Sequence, residues 1–150
     1  MKTYVITVSE KFPKTHKRAG QYTAFVQLIK DKMKLHTIRG NYDLWRKRFD
    51  EIEKGNAILS VRVWTDKPYK SKQKEVFRFD KSDGIGIEKL EFEKISIMRQ
   101  TMGFNASVDI RKLCFNDGLT FYDFTNWFKG YDLSKPLAII HFTDFRYFKK

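Results

Sequence analysis

The sequence predicts one α+β domain over residues 1–150, and three observations carry that expectation. Short runs of alternating apolar and polar residues are separated by stretches in which apolar residues recur at helical spacing. Aromatic residues make up 16% of the chain, with 14 Phe, 7 Tyr and 3 Trp, so a dense aromatic core is expected. A chain of 150 residues can bury such a core without a disulfide or a structural metal.

The elements follow in order. Tyr4 to Val8 alternates as a first strand. Lys11 to Arg18, with Pro13 and His16, reads as a mobile basic loop that ends at Gly20. From Gln21 the positions Ala24, Phe25, Leu28 and Ile29 predict a helix running to about Met33. Lys34-Leu35-His36-Thr37-Ile38-Arg39 is the most unusual stretch. If it is extended, Lys34, His36 and Ile38 point one way and Leu35, Thr37 and Arg39 the other, so each face mixes apolar and polar groups. Such a strand belongs where a core meets a cleft, and its donors suit an anionic or polar planar ligand. The plainer alternative is a half-buried strand whose charges reach solvent.

Gly40-Asn41 is a break followed by a cap, and Tyr42 to Glu53 carries Trp45, Phe49 and Ile52 on one helical stripe, with Gly55 as its stop. Ala57 to Trp64 is the clearest strand. The turn Asp66-Lys67-Pro68-Tyr69 leads into a second strand, Lys72 to Phe79, with Phe77 and Phe79 inward. After Asp83-Gly84, Ile85 to Met98 switches parity between Ile87 and Leu90 and again before Ile95, as bulges or tight turns would cause. Ser107 caps a short helix from Val108 to about Cys114, and Asn116-Asp117-Gly118 makes a turn. Thr120 caps the next helix, with Asp123 as a capping-box partner and Leu119 placed to staple onto Phe124; that helix ends by Gly130. Leu137 to Thr143 is the closing strand, with Leu137, Ile139 and His141 on one face.

Charge narrows the function. Thirty Lys and Arg against 18 Asp and Glu give +12, a field that attracts polyanions, so nucleic acid is the first partner to consider. Lys67, Tyr69, Lys70, Lys72 and Lys74 interleave cations with an aromatic ring on the hairpin, a pattern suited to a phosphate backbone with a stacked base. The same lysines also serve as a guard against edge aggregation. Cys114 is the only cysteine, which fits a reducing, cytoplasmic setting, or a nuclear one in a eukaryote. The N-terminal eight residues are too short and polar for a signal-peptide core, and no run approaches the roughly 20 apolar residues of a membrane span, so no membrane partner is expected.

Other chemistry is ruled down. The three histidines, His16, His36 and His141, lack metal-site spacing, and Cys114 has no cysteine partner, so neither a metal nor a cofactor is expected. There is no phosphate-binding P-loop and no G-x-S-x-G elbow, and Gly84-Ile85-Gly86 lacks the third glycine of a dinucleotide fingerprint. The residues that survive are Lys34, His36, Thr37, Arg39, Arg62, Trp64, Asp117 and His141. Lys34 beside apolar groups would act as a base on the Thr37 hydroxyl, with Asp117 trading protons; alternatively, Asp117 only shapes its turn.

The order of these features resembles the ASCH domains of the PUA-like superfamily. Their motif is a glycine, one residue, a lysine, four residues and an arginine. Lys34 and Arg39 keep the lysine-to-arginine spacing, and Lys32 stands at the glycine position. Thr37-Ile38-Arg39, the strand from Ile58 to Trp64, the Gly118-Leu119-Thr120 helix start and the closing strand resemble the same arrangement, so the likeness spans nearly the whole chain.

The resemblance implies a small mixed β-barrel with flanking helices and a cleft, facing the lysine–arginine segment, that binds RNA or nucleotides. One small bacterial branch is an amidohydrolase that removes the acyl group from N4-acetylcytidine with a lysine, a threonine and a glutamate. Lys34 and Thr37 match the first two. The third falls on Asp117, aligned by Leu119-Thr120, with a side chain one methylene shorter. Extra residues from Lys67 to Phe79 and around Gln100 make this chain longer than that branch.

Two functions are therefore expected. The first is a nucleic-acid or nucleotide-binding module using Lys34, His36, Arg39, Arg62, Trp64, Lys67, Tyr69, Lys72 and His141. The second is an amidohydrolase with Thr37 as nucleophile, Lys34 as its base and Asp117 as acid or base. A protein-interaction adaptor is weaker, because Phe121, Phe124 and Phe128 read first as core.

Overall fold

A computed structural model describes residues 1–91 and 108–148. Six strands and four helices run in the order β1 (Lys2–Thr7), α1 (Phe25–Lys30), β2 (His36–Arg39), α2 (Tyr42–Glu53), β3 (Ala57–Trp64), β4 (Gln73–Phe79), β5 (Gly86–Leu90), α3 (Ile110–Asn116), α4 (Phe121–Phe128) and β6 (Leu137–His141), among the described residues. The strands form two three-stranded sheets. In β1-β3-β4, β1 runs parallel to β3 and β4 antiparallel to it. In β2-β6-β5 all neighbours are antiparallel. The expected closed barrel is thus replaced, among the described residues, by two separate sheets.

One strand ties the layers together. Ala138 and Ile140 of β6, with Phe142 just beyond it, join a core containing Ile6, Leu59 and Val61 of the first sheet and Trp45, Phe49 and Ile52 of α2. Leu137 and Ile139 face the other way, into a second core with Ile38, Leu90, Leu113, Phe124 and Phe128. Every residue of β6 is buried, which explains its nearly continuous apolar run, Leu-Ala-Ile-Ile.

The helices show where local rules hold and where they yield. In α2 the Asn41 side chain accepts from the Leu44 N–H at 3.3 Å, and the three expected apolar residues are buried. The helix expected from Gln21 begins only at Phe25: Tyr22 bridges to Lys11, the Thr23 N–H donates to the Glu10 carbonyl, and Ala24 sits at φ 63°. α1 ends after Lys30, where Met33 N–H returns to Leu28 O and Lys32 N–H to Ile29 O, with Lys32 at φ 58°. This is a Schellman turn with lysine in the position that favours glycine.

Asp109, rather than Ser107, caps α3; Ser107, the second parity switch and the segment around Gln100 lie outside the described residues. Residues 86–90 form one strand, β5, paired residue by residue with β6, so no bulge separates Ile87 from Leu90. The irregularity falls instead on β4, where the register shifts between Val61 and Arg62 and leaves Val76 as the extra residue.

Thr120 caps α4, but the Asp123 carboxylate does not complete a capping box. It takes the Arg18 guanidinium at 2.5 Å. His16 is also buried against α4: its Nε2–H donates to Asp123 O at 3.0 Å and its Nδ1 accepts from Arg18 N at 2.9 Å. The basic loop expected to be mobile is therefore tied down by a histidine with both ring nitrogens satisfied.

Because α2 covers the core shared by both sheets, its cap matters globally. Asn41 both caps and holds φ 60°. Replacing it with Ala should cost about 1–2 kcal/mol in urea unfolding, whereas Gly, which tolerates that φ, should cost only a few tenths.

Candidate functional site

Two helix ends and one strand start meet at Lys34. The Schellman turn after α1 brings Lys34 N–H onto Leu28 O at 3.0 Å, and the next residue, Leu35, donates to Asn116 O at the end of α3 at 2.7 Å. α3 stops in a second Schellman turn: Leu119 N–H reaches Cys114 O, Gly118 N–H reaches Phe115 O, and Gly118 lies at φ 79°. A side chain there would also meet close neighbours. A Cβ on Gly118 would come within 3.3 Å of Leu28 and 3.4 Å of the Lys34 side chain.

These turns set Asp117 against Lys34. Lys34 is 2% exposed, and its ammonium donates to the Asp117 carbonyl at 2.6 Å and to Asp117 Oδ1 at 3.2 Å, with the Phe25 ring centroid 4.1 Å away. Burial lowers the Lys34 pKa; Asp117 opposes that shift and the Arg39 charge adds to it. Asp117 Oδ1 also accepts from His36 Nδ1 at 3.1 Å. Asp117 also lines a pocket.

β2 alternates as the sequence implied. Lys34, His36 and Ile38 face α3 and the second core, while Thr37 and Arg39 lie on the other side, opposite Ile140 and Ala138 of β6. Arg39 Nη1 donates to Thr37 Oγ1 at 2.7 Å and to Ile38 O at 3.0 Å, and its Nη2 donates to Thr7 O on β1, linking the two sheets. Burial lowers its pKa, while the phenols of Tyr131 and Tyr69 and the Asp117 carboxylate are near enough to act the other way.

Because β2 is an edge strand, both of its faces reach a pocket along its free side. Lys34, Thr37, Arg39 and Asp117 supply the polar lining, and Phe25, Leu119, Trp127 and Phe128 supply apolar wall. The enclosed space is about 20 Å³, room for about one water. Lys34, Thr37 and Asp117 therefore share one pocket, although the Lys34 ammonium is turned to Asp117 and the Thr37 hydroxyl to Arg39.

The remaining expected residues divide. His36 and His141 were expected to face a ligand, but both are fully buried. His36 Nε2 meets the Tyr147 hydroxyl at 2.6 Å, and burial lowers its pKa. His141 Nε2–H donates to Glu88 Oε1 at 2.7 Å, and burial holds its pKa down to about 4. Arg62 is half-buried and donates to Ser60 Oγ at 2.9 Å. Trp64 and Tyr69 pack with ring centroids 5.2 Å apart, Tyr69 is 87% exposed, and Lys67, Lys70, Lys72 and Lys74 are exposed around them.

Sequence reasoning missed Phe25 and Trp127 as pocket walls, Tyr147 and Glu88 as partners of the buried histidines, and Asn116 as the donor to Tyr147. Tyr147 lies in an irregular segment after β6, where no periodicity could mark it. Cys114 is no nucleophile at neutral pH, since burial pushes its thiol up to about 12. Among the described residues no group of three or more His, Cys, Asp and Glu is placed to hold a metal, and no helix is long and apolar enough to cross a membrane. Comparison of the chain with protein-family models, curated proteins and solved structures finds no match.

Two outcomes follow for stability. Lys34→Met leaves the Asp117 charge enclosed without its cation and should cost about 3–5 kcal/mol in denaturant unfolding; adding Asp117→Asn should recover more than half. His141 binds its proton less readily folded than unfolded, so the unfolded state gains protons as pH falls from about 6.5 to about 4. Stability should drop through that window by up to about 1.4 kcal/mol per pH unit from this residue, and His141→Gln should flatten that part of the profile.

Proposed function

We propose that this protein is a nucleic-acid or nucleotide-binding domain of the ASCH, PUA-like kind, in which the pocket beside Lys34 takes a base, RNA being the favoured source. The observation that carries this reading is the convergence of Lys34, Thr37, Arg39 and Asp117 on one pocket with aromatic walls. Donors and a carboxylate side by side suit the edge of a base, and Phe25, Trp127 and Phe128 suit its faces. A base is far larger than the present space, so the mouth must widen on binding.

Two further observations support it. Lys32, at the glycine position of the family motif, has the left-handed backbone that glycine favours. The hairpin presents Tyr69, 87% exposed and packed on Trp64, among exposed lysines, a surface on which a base can stack beside phosphates. Phosphates then fall to Lys67, Lys70, Lys72 and Lys74, because Arg39 is committed to Thr37, Ile38 and Thr7.

The second reading, an amidohydrolase on N4-acylated cytidine, is favoured by one contact, Asp117 beside Lys34, with Thr37 in the same pocket. Thr37 Oγ would attack the acyl carbon while its proton passes to the Lys34 amine. The carbon–nitrogen bond then breaks, the cytosine N4 takes a proton through Asp117, and water hydrolyses the acyl-threonine. A lowered Lys34 pKa raises the fraction of the lysine present as the free amine that this step requires. Arg39 fills an acceptor site of the Thr37 oxygen and leaves its O–H free to donate.

Fluorescence anisotropy with labelled single-stranded RNA should show an affinity that falls with salt, and replacing Lys67, Lys70, Lys72 and Lys74 by Ala should weaken it roughly tenfold or more at low salt. Affinity indifferent to both would contradict the binding reading. Incubation with N4-acetylcytidine, followed by chromatography, separates the second reading: cytidine release that vanishes in a folded Thr37→Ala variant supports it, and no release leaves binding alone.

A further inference from the structure

The buried groups behind Asp117 form a chain whose hydrogen-bond directions can be worked out link by link. A carboxylate only accepts, so the contact between His36 Nδ1 and Asp117 Oδ1 at 3.1 Å requires the proton on Nδ1. A neutral ring then presents a lone pair at Nε2, and the only group on it is the Tyr147 hydroxyl at 2.6 Å, among the described residues, so Tyr147 donates. The phenol oxygen, having given its proton, accepts from Asn116 Nδ2 at 3.0 Å. Each donor meets an acceptor from Asn116 to Asp117.

We infer that Tyr147, acting through His36, is a positioning residue: it keeps the ring neutral and turned so that Nδ1–H holds Asp117 Oδ1 and fixes that carboxylate beside the pocket. The inference rests on the reading of that pocket as the functional site. The segment bearing Tyr147 is anchored for the task. Glu88 accepts from the backbone N–H of Tyr147 and of Phe148, both at 2.8 Å, and Arg146 donates to Gly84 O at 2.9 Å. Arg146 also lies so close over Gly86 that a Cβ there would meet its guanidinium at 2.1 Å. The segment after β6 thus reaches the site from outside both sheets and supplies a group that is not part of the pocket lining.

The titratable groups facing His36 are Asp117, Tyr147, Lys34 and His141, whose ring centroid is 5.5 Å away, with Glu88 beyond His141. Lys34 and a protonated His141 would oppose a charge on His36, and Asp117 would favour one. Tyr147 opposes it differently, by occupying the lone pair that a second proton would need.

Nitrogen-15 NMR of histidine-labelled protein, with His36 assigned through the backbone, tests this. In the wild type, His36 should show a protonated Nδ1 and a bare Nε2 at neutral pH, and should keep them below the pH at which a free imidazole gains its second proton. Tyr147→Phe keeps the ring and removes only the hydroxyl. In that variant His36 should take up a second proton at higher pH than in the wild type, and the Asp117 carboxylate carbon should shift although Tyr147 does not touch it. A wild-type ring with the proton on Nε2, or a doubly protonated ring at neutral pH, would overturn the inference even if the variant did not fold. So would a folded Tyr147→Phe with unchanged His36 and Asp117 signals. None of these readouts uses RNA or an acylated base, so failure of the proposed function would leave them standing.

Discussion

The burial of Lys34 with Asp117 is the constraint on which the site depends. An ammonium that is 2% exposed cannot be left without a partner, because desolvating a lone charge costs more than the fold can spare. The chain meets this with two oxygens of one residue, carbonyl and carboxylate, and with the face of Phe25. Holding both oxygens on one nitrogen requires the end of α3 to stop in a fixed geometry, which the Schellman turn at Gly118 provides. α1 must stop in register with it, and a left-handed Lys32 does this without the freedom of a glycine. The ion pair thus accounts for two adjacent helix ends that would otherwise seem unrelated.

The two sheets have different tasks around that constraint. The antiparallel β2-β6-β5 sheet, covered on both faces along β6, is the rigid layer from which Lys34, His36 and Thr37 are presented. The β1-β3-β4 sheet carries the hairpin with exposed lysines and the packed Trp64–Tyr69 pair, and so carries much of the long-range charge. Arg39 joins them by donating from β2 to Thr7 on β1. A guanidinium used in this way has fewer donors free than the exposed hairpin lysines.

Legibility in the sequence followed the range of the interactions. α2 and β3 were readable to the residue, because a cap, an apolar stripe or strict alternation is written within a dozen positions. The alternation of Lys34 to Arg39 was readable too, and it correctly separated the faces of β2. α1 was overestimated because Thr23 and Ala24 are diverted by a bridge to the basic loop, a contact that no local pattern records. Contacts between distant residues were the least legible. Asp117 lies 83 positions from Lys34, and their pairing was suggested by residue types and a family likeness rather than by spacing. The two histidines were read as ligand-facing because polar residues in strands suggest a cleft, whereas Asp117 and Tyr147 hold both ring nitrogens of His36 and Glu88 holds Nε2 of His141, whose Nδ1 is buried with no partner among the described residues.

The central claim is that a base enters the pocket between β2 and the α3–α4 turn. The most direct measurement is an amide and side-chain NMR titration of the folded protein with N4-acetylcytidine and cytidine, neither of which carries a phosphate to attract the +12 surface. The account predicts saturable shifts centred on Lys34 to Arg39, Asp117 to Leu119 and the Trp127 indole. Shifts confined to the lysine hairpin, or none at millimolar ligand, would contradict it.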